Sequence, residues 1–270
     1  MILTNYGIVS SSGGVSFDAD AQAFITAAAI TDNTQKTAIN TLVTDLKTYN
    51  IWTKMKAMYP FVGGTASAHK WNLKDPRDLD AAYRLVFNGG WTHSSNGALP
   101  NGTTSYADTK LIPQSNLTQN NCHLSFYSRS NTAGANRASM GSTNPGFTTS
   151  HQMFLRFTDE NFYGIIDSNT AFAQYSNTNT TGYYVVSRTS NNSIKAYKNS
   201  SLIATNTTTI IAIANSYSIF IGARSDSFSP QNFDDKETAF ASIGDGLTDT
   251  EASNFYTAVQ AYQTTLSRNV

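Results

Sequence analysis

Carboxylates are the first side chains to weigh, because hydrolysing a glycosidic bond takes two of them placed across it. The chain has three glutamates, Glu160, Glu237 and Glu251, and no Glu-x-Asp-x-x-Glu run to set paired acids on one strand face. Glu251 already has a structural task, since Thr248-Asp249-Thr250-Glu251 reads as a capping box. The Asp234-Asp235 pair is what remains for a fold to bring up to another acid. Four histidines, His69, His93, His123 and His151, lie far apart with no HxxxH spacing, and no Gly-x-Ser-x-Gly elbow accompanies them. Phe61-Val62-Gly63-Gly64 and Asn88-Gly89-Gly90-Trp91 read as turns, not phosphate loops. The chain is therefore expected not to be an enzyme.

Two other kinds of chemistry have candidates. Asp226, Asp234 and Asp235 share the polar stretch from Ser225 to Lys236, which concentrates oxygen atoms of the type calcium takes, so calcium is the one cofactor to consider. Sugar binding needs an exposed aromatic face beside polar groups. Trp91 lies between Gly90 and the polar run Thr92 to Gly97, with Tyr106 close behind. Tyr127 and Arg129 alternate only in part with Leu124 and Phe126 along one predicted strand, so at least one of them is expected to point outward.

Composition narrows the partners. Lys plus Arg and Asp plus Glu number 18 each, so the formal net charge is zero. Charged residues make up only 13% of the chain, against about 25% in an average soluble domain. Nucleic acid and anionic membrane are excluded as expected partners, because both call for a concentrated basic patch. No stretch approaches the roughly 20 apolar residues needed to cross a bilayer, so membrane insertion is not expected. Residues 1–6 carry neither a basic leader nor a long apolar run, and no cleaved signal is predicted. Ser, Thr and Asn total 91 of the 270 residues, a bias that suits β surfaces and tight turns. The single cysteine, Cys122, rules out an internal disulfide and a cysteine-rich zinc site.

The elements that must position these residues follow from hydrophobic period. Asp18 to Ile30 is rich in helix formers. Asp32 caps a second helix, along which Ile39, Leu42, Val43 and Leu46 form one face. Trp52, Met55 and Tyr59 extend a third apolar stripe at helical spacing, and Pro60 with Gly63-Gly64 ends the section. From His69 to Phe240 the period becomes two: His123 to Arg129 and Ile194 to Lys198 alternate, while Tyr183 to Val186 and Ile219 to Gly222 read as buried strands. Asn- and Ser-rich turns separate them, which indicates antiparallel sheets stacked as a sandwich. After Thr248, the residues Ala252, Phe255, Tyr256, Val259, Tyr262 and Leu266 form the apolar stripe of a closing helix. The division expected is a helical segment over 1–64 and a sandwich with its closing helix over 65–270.

Ala239 to Tyr256 (AFASIGDGLTDTEASNFY) resembles the closing strand, turn and helix of laminin-G-like, concanavalin A-like jelly rolls. Ser193 to Ala204 (SIKAYKNSSLIA), followed by Ile219 to Arg224 (IFIGAR), is similar to their central hairpin. Together with the helical segment from Asp18 to Lys47, the chain resembles structural proteins of tailed bacteriophages. That resemblance implies a mainly β antiparallel jelly roll with a helical segment at the N-terminus and a helix at the C-terminus. It also implies a role on the virion surface as a head fibre, tail fibre or capsid decoration among other virion proteins. Fibre analogy implies a homo-oligomer, with a trimer favoured, and host or mucosal polysaccharide as a weakly and multivalently held ligand. The alternatives are a glycan-degrading hydrolase on the same fold and a purely architectural capsid component.

Overall fold

The computed structural model describes residues 16–211 and 215–270; residues 1–6, read above for a leader, lie outside this range. Its centre is a mostly antiparallel β sandwich of two sheets. The eight-stranded sheet runs, in spatial order, Ser201–Asn206, Ser193–Lys198, Gly182–Ser190, Cys122–Ser128, Thr238–Gly244, Gly97–Leu99 and Thr92–Ser94, with Met55–Tyr59 also paired to Thr238–Gly244. The nine-stranded sheet runs Ala173–Ser176, Asn161–Ser168, Ser150–Phe154, Met140–Thr143, Phe220–Ile221, Tyr106–Asp108 and Val86–Asn88. Arg224–Asp226 joins that sheet alongside Met140–Thr143, and Ser229–Gln231 pairs with it.

Side-chain alternation fills the space between the sheets. Leu124, Phe126, Tyr184, Val186 and Ala241 from the first sheet meet Met140, Met153, Phe162, Ile166 and Ile221 from the second in one core. The opposite faces of the same first-sheet strands present Tyr127, Tyr183, Val185, Tyr197 and Phe240. These pack against the helices Ala19–Ala27, Asn33–Thr48 and Asp249–Thr265 in a second core. The molecule is thus three layers: helices, eight-stranded sheet, nine-stranded sheet.

Both expected N-terminal helices form, the first capped by Asp18 and the second by Asp32, whose carboxylate accepts from the Gln35 N–H at 2.8 Å. Phe24, Ile39, Leu42, Val43 and Leu46 are fully buried, each contributing roughly 1.5–3 kcal/mol of apolar burial. The capping box is reciprocal: the Thr248 hydroxyl accepts from the Glu251 N–H, and Glu251 Oε2 accepts from the Thr248 N–H at 2.8 Å. Lys54 adds an ion pair to the same Glu251 carboxylate at 2.6 Å.

The third apolar stripe is not a helix. Trp52–Lys54 makes one 3-10 turn, and Met55–Tyr59 is a strand paired antiparallel to Thr238–Gly244. Both faces of that strand are needed, since Met55 and Met58 reach the helical core and Ala57 and Tyr59 the inter-sheet core. Apolar residues at helical spacing are also what a strand buried on two sides produces, and tertiary pairing decided between them. The segment before residue 64 accordingly shares both cores with the sandwich.

A groove on the open face of the sandwich

Helices cover only one of the two outer faces. On the other, the cross-strand register of the nine-stranded sheet aligns a row of residues: Arg224 beside Gly141, Gly141 beside Gln152, and Gln152 beside Ile165. One step along, Phe154 pairs with Tyr163 and Tyr163 with Gln174. Residues directly opposite across a ladder point to the same side, so these side chains share the outer face, while Met153 and Phe162 from the same strands point into the core. At Gly141 the neighbouring strand comes too close for a side chain. A Cβ there would stand 2.5 Å from Gln152 Cβ and 2.7 Å from the His151 carbonyl oxygen.

The same face carries a groove of about 260 Å³ lined by Gln152, Phe154, Phe157, Tyr163, Ile165, Phe172 and Arg224, with Asn136 and Asn169 also lining it. Four rings run along it edge to face: Phe154–Phe157 with centroids 5.4 Å apart, Phe157–Tyr163 at 5.7 Å and Tyr163–Phe172 at 5.3 Å. Phe154 is buried, whereas Phe157, Tyr163 and Phe172 are half-buried and open to a ligand. Tyr163 is held in place, its hydroxyl donating to Asp159 Oδ2 at 2.6 Å and accepting from Gln174 Nε2 at 2.9 Å.

Among the described residues, two polar groups in the groove have no hydrogen-bond partner. Gln152 is 6% exposed and Arg224 9%, yet Gln152 Oε1 and Arg224 Nε are buried with no hydrogen bond. Burial holds the Arg224 guanidinium below its ordinary pKa, partly offset by Asp226, 3.6 Å away. Native proteins rarely leave buried donors and acceptors unpaired, because each costs about 1–3 kcal/mol. A ligand with hydroxyl groups and an apolar ring surface would pair both while stacking on the aromatic row.

The residues singled out from the sequence lie elsewhere. Trp91 and Tyr106 do come together: the indole N–H donates to the Tyr106 carbonyl at 3.3 Å. Trp91 packs edge-on against Phe87 and lies over Gly222, where a Cβ would meet its ring at 2.7 Å. Tyr106 stacks on Phe220 with centroids 4.7 Å apart. Tyr127 and Arg129 are in a different region. Tyr127 does face away from the inter-sheet core, but the closing helix covers that face. Tyr127 is wholly buried, with its hydroxyl donating to Gln260 Oε1 at 3.1 Å and accepting from the Val270 N–H at 2.9 Å. Arg129 donates to Glu237 Oε2 at 2.8 Å and to the Arg268 carbonyl at 2.9 Å. Tyr127 is therefore closed to a ligand, whereas Arg129 is half-buried.

The three loop aspartates are each answered by a cation of the chain itself. Asp234 is fully buried 2.8 Å from Lys236 Nζ, which also lies 3.8 Å from Asp235. Asp235 pairs with Arg137 at 2.6 Å and Asp226 with Arg224.

Two clusters of titratable side chains contain histidine. His69 and His93 approach through their Nδ1 atoms at 2.9 Å, beside Phe61 and Phe87. Burial drives the His69 pKa down to about 3, helped by His93 and Arg268. His151 lies 3.2 Å from Asp167 and 3.7 Å from Cys122, all three buried.

The groove was legible only as an excess of apolar residues. Ser150–Phe154 and Asn161–Ser168 carry them on both faces, as Met153 and Phe154, then Phe162, Tyr163, Ile165 and Ile166. A one-sided sandwich strand needs only half of them.

No protein-family model matches the chain, and no curated protein sequence does. Solved structures resemble it in fold. The binding domain of botulinum neurotoxin serotype C1 superposes with a TM-score of 0.51 at 12% identity, over 78% of this chain and 53% of that one. Domain 4 of the extracellular arabinanase AbnA of Geobacillus stearothermophilus, solved in complex with arabinotriose, gives 0.44 at 13% identity, over 75% of this chain and 98% of that one. The NanB sialidase of Streptococcus pneumoniae gives 0.45 at 13% identity, over 63% of this chain and 28% of that one. The protein is a jelly-roll-like β sandwich with a helical layer on one face and an aromatic groove on the other. Among the described residues, no helix is long and apolar enough to cross a membrane.

Proposed function

We propose that the protein binds carbohydrate, without cleaving it, in the groove on the nine-stranded sheet. The observation that carries this reading is the pairing of an unpartnered buried donor, Arg224 Nε, and an unpartnered buried acceptor, Gln152 Oε1, with a row of aromatic rings. Ring faces meet the C–H surface of a sugar, and forked polar groups meet its hydroxyls. None of the described lining residues is a carboxylate, whereas hydrolysis calls for two roughly 5–10 Å apart.

A glycan array followed by calorimetric titration tests this. Phe157→Ala and Tyr163→Ala remove half-buried rings, so the fold should survive, and each is expected to weaken binding about tenfold. Trp91→Ala, at the separate Trp91–Tyr106 cluster, is expected to leave binding unchanged. Binding that survives loss of both groove rings, or disappears with Trp91, refutes the assignment, and an array with no positive glycan removes it.

The finer reading is display on the surface of a tailed phage, as a head fibre, tail fibre or capsid decoration. It is supported by the sequence resemblance of the closing segment and the N-terminal helices. In that setting many copies, trimeric by the fibre analogy, turn weak single sites into firm attachment to host or mucosal polysaccharide. Mass spectrometry of purified particles, with a density map locating the protein, tests it; absence from particles refutes it.

A further inference from the structure

At one end of the sandwich, three side chains from three strands converge where the sheets meet. Cys122 opens Cys122–Ser128 of the eight-stranded sheet, while His151 and Asp167 come from Ser150–Phe154 and Asn161–Ser168 of the other. They are 1%, 1% and 3% exposed. Cys122 Sγ lies 3.7 Å from His151 Nε2 and 3.8 Å from Asp167 Oδ2, and His151 Nε2 lies 3.2 Å from Asp167 Oδ1. Among the described residues this is the one group of three such side chains whose ligand atoms lie within 4.8 Å of one another.

The separations suit a shared ion. With metal–sulfur bonds near ~2.3 Å and metal–nitrogen or metal–oxygen bonds near ~2.0–2.1 Å, a tetrahedral centre sets its ligand atoms roughly 3.3–3.6 Å apart. The backbone is arranged to aim the carboxylate inward. The register between Ser150–Phe154 and Asn161–Ser168 shifts between Ser150 and Gln152, and Asp167 takes a left-handed conformation with φ 53°. Regular alternation would turn Asp167 away from the face that Ile166 presents; the bulge brings it to His151. The Asn120 N–H holds Asp167 Oδ2 at 2.8 Å, and the same residue carries a buried Oδ1 with no hydrogen-bond partner. Asp167 also lines a cavity of about 270 Å³ with Thr148, Ser168, Asn169 and Thr209.

We propose that Cys122, His151 and Asp167 form a binding site for a borderline-soft divalent cation, zinc by preference, with water or Asn120 Oδ1 at the fourth position. Thiolate, neutral imidazole and carboxylate together offset the charge of a divalent ion, and this mixed donor set favours zinc over calcium or magnesium. A cysteine-nucleophile reading fits less well. Cys122 is inaccessible, and it faces the same imidazole nitrogen as Asp167, leaving no relay through the ring. Because the ligands come from both sheets, the ion would tie them together.

The full chain is treated with chelator and titrated with zinc alone, then with cobalt(II) alone. One zinc per chain is expected, with cobalt giving intense visible bands of tetrahedral coordination and a near-ultraviolet sulfur-to-cobalt charge-transfer band. Zinc at 100 times its Kd should raise the melting temperature by roughly 5–10 °C. Cys122→Ser should abolish the charge-transfer band, and Asp167→Asn should weaken zinc binding about 100-fold. Failure of the parent chain to take up stoichiometric metal, or a cobalt complex without the sulfur band, overturns the proposal whether or not the variants fold. Glycan binding in the groove is a separate readout and does not depend on this result.

Discussion

Arg268 offers a sharp test of how the layers are locked. The residue is 1% exposed, and its guanidinium meets backbone carbonyls and one side-chain amide oxygen, not a carboxylate. Nε donates to Gln263 Oε1 at 2.6 Å, Nη1 to the Phe61 carbonyl at 2.7 Å, and Nη2 to the carbonyls of Pro60 and Ala239 at 2.7 and 3.0 Å. One side chain thus joins the closing helix, the strand Thr238–Gly244 inside the eight-stranded sheet and the turn after Met55–Tyr59, where Phe61 has a left-handed backbone with φ 43°. In Arg268→Ala, Pro60 O keeps the Tyr262 hydroxyl at 3.1 Å and Ala239 O keeps Gln263 Nε2 at 3.3 Å. Phe61 O and Gln263 Oε1 lose their guanidinium donors. At about 1–3 kcal/mol for each buried unsatisfied group, plus lost packing of the stem, the cost should be about 4 kcal/mol. For a chain of this size that lowers Tm by roughly 8–16 °C. Arg268→Met keeps the stem and removes the cost of burying the charge, so it should lose about half as much. Thermal unfolding followed by circular dichroism at neutral pH reads both. An Arg268→Ala protein melting within about 2 °C of the parent would refute the idea that this contact holds the helix to the sheet.

Two further outcomes follow from groups already described. His123 is buried with Nδ1–H donating to the Asp245 carbonyl at 2.6 Å and Nε2 facing the Ser242 hydroxyl at 3.0 Å; burial lowers its pKa from 6.5 to about 4. Between those two values the unfolded chain takes up a proton that the folded chain refuses. Stability is therefore full above pH 6.5, falls as pH drops toward 4 and then levels off, with about 2 kcal/mol lost to this group by pH 5. His69 is depressed over the same range and adds to the loss, so equal urea midpoints at pH 7.5 and pH 5 would contradict the buried-neutral assignment. Thr248→Ala removes the acceptor for the Glu251 N–H and should cost about 1 kcal/mol in urea unfolding; a change below about 0.3 kcal/mol would show that the Lys54–Glu251 pair holds the helix start without the cap.

Much of the architecture was legible because it is written in local periods. Ile39, Leu42, Val43 and Leu46 announce a helical face, Asp32 and Thr248 announce the starts of helices, and the turn Asn199–Ser200 announces the hairpin between Ser193–Lys198 and Ser201–Asn206. Each signal spans a few residues and rests on backbone geometry that neighbours in sequence impose. The closing helix formed where its apolar stripe required a partner, and that partner is the outer face of the eight-stranded sheet.

What the sequence could not determine was which surfaces are covered. Tyr127 alternates outward as expected, but a helix more than a hundred residues later in the chain buries it. Met55–Tyr59 shows helical spacing and forms a strand because Thr238–Gly244 offers an edge to pair with. Gln152, Phe154, Tyr163 and Arg224 carry no motif and become a groove only through the register of four strands. Cys122, His151 and Asp167 meet through the packing of two sheets. Local periodicity fixes which way a side chain points from its own backbone, whereas exposure and company are set by long-range packing, and only the tertiary structure decided those.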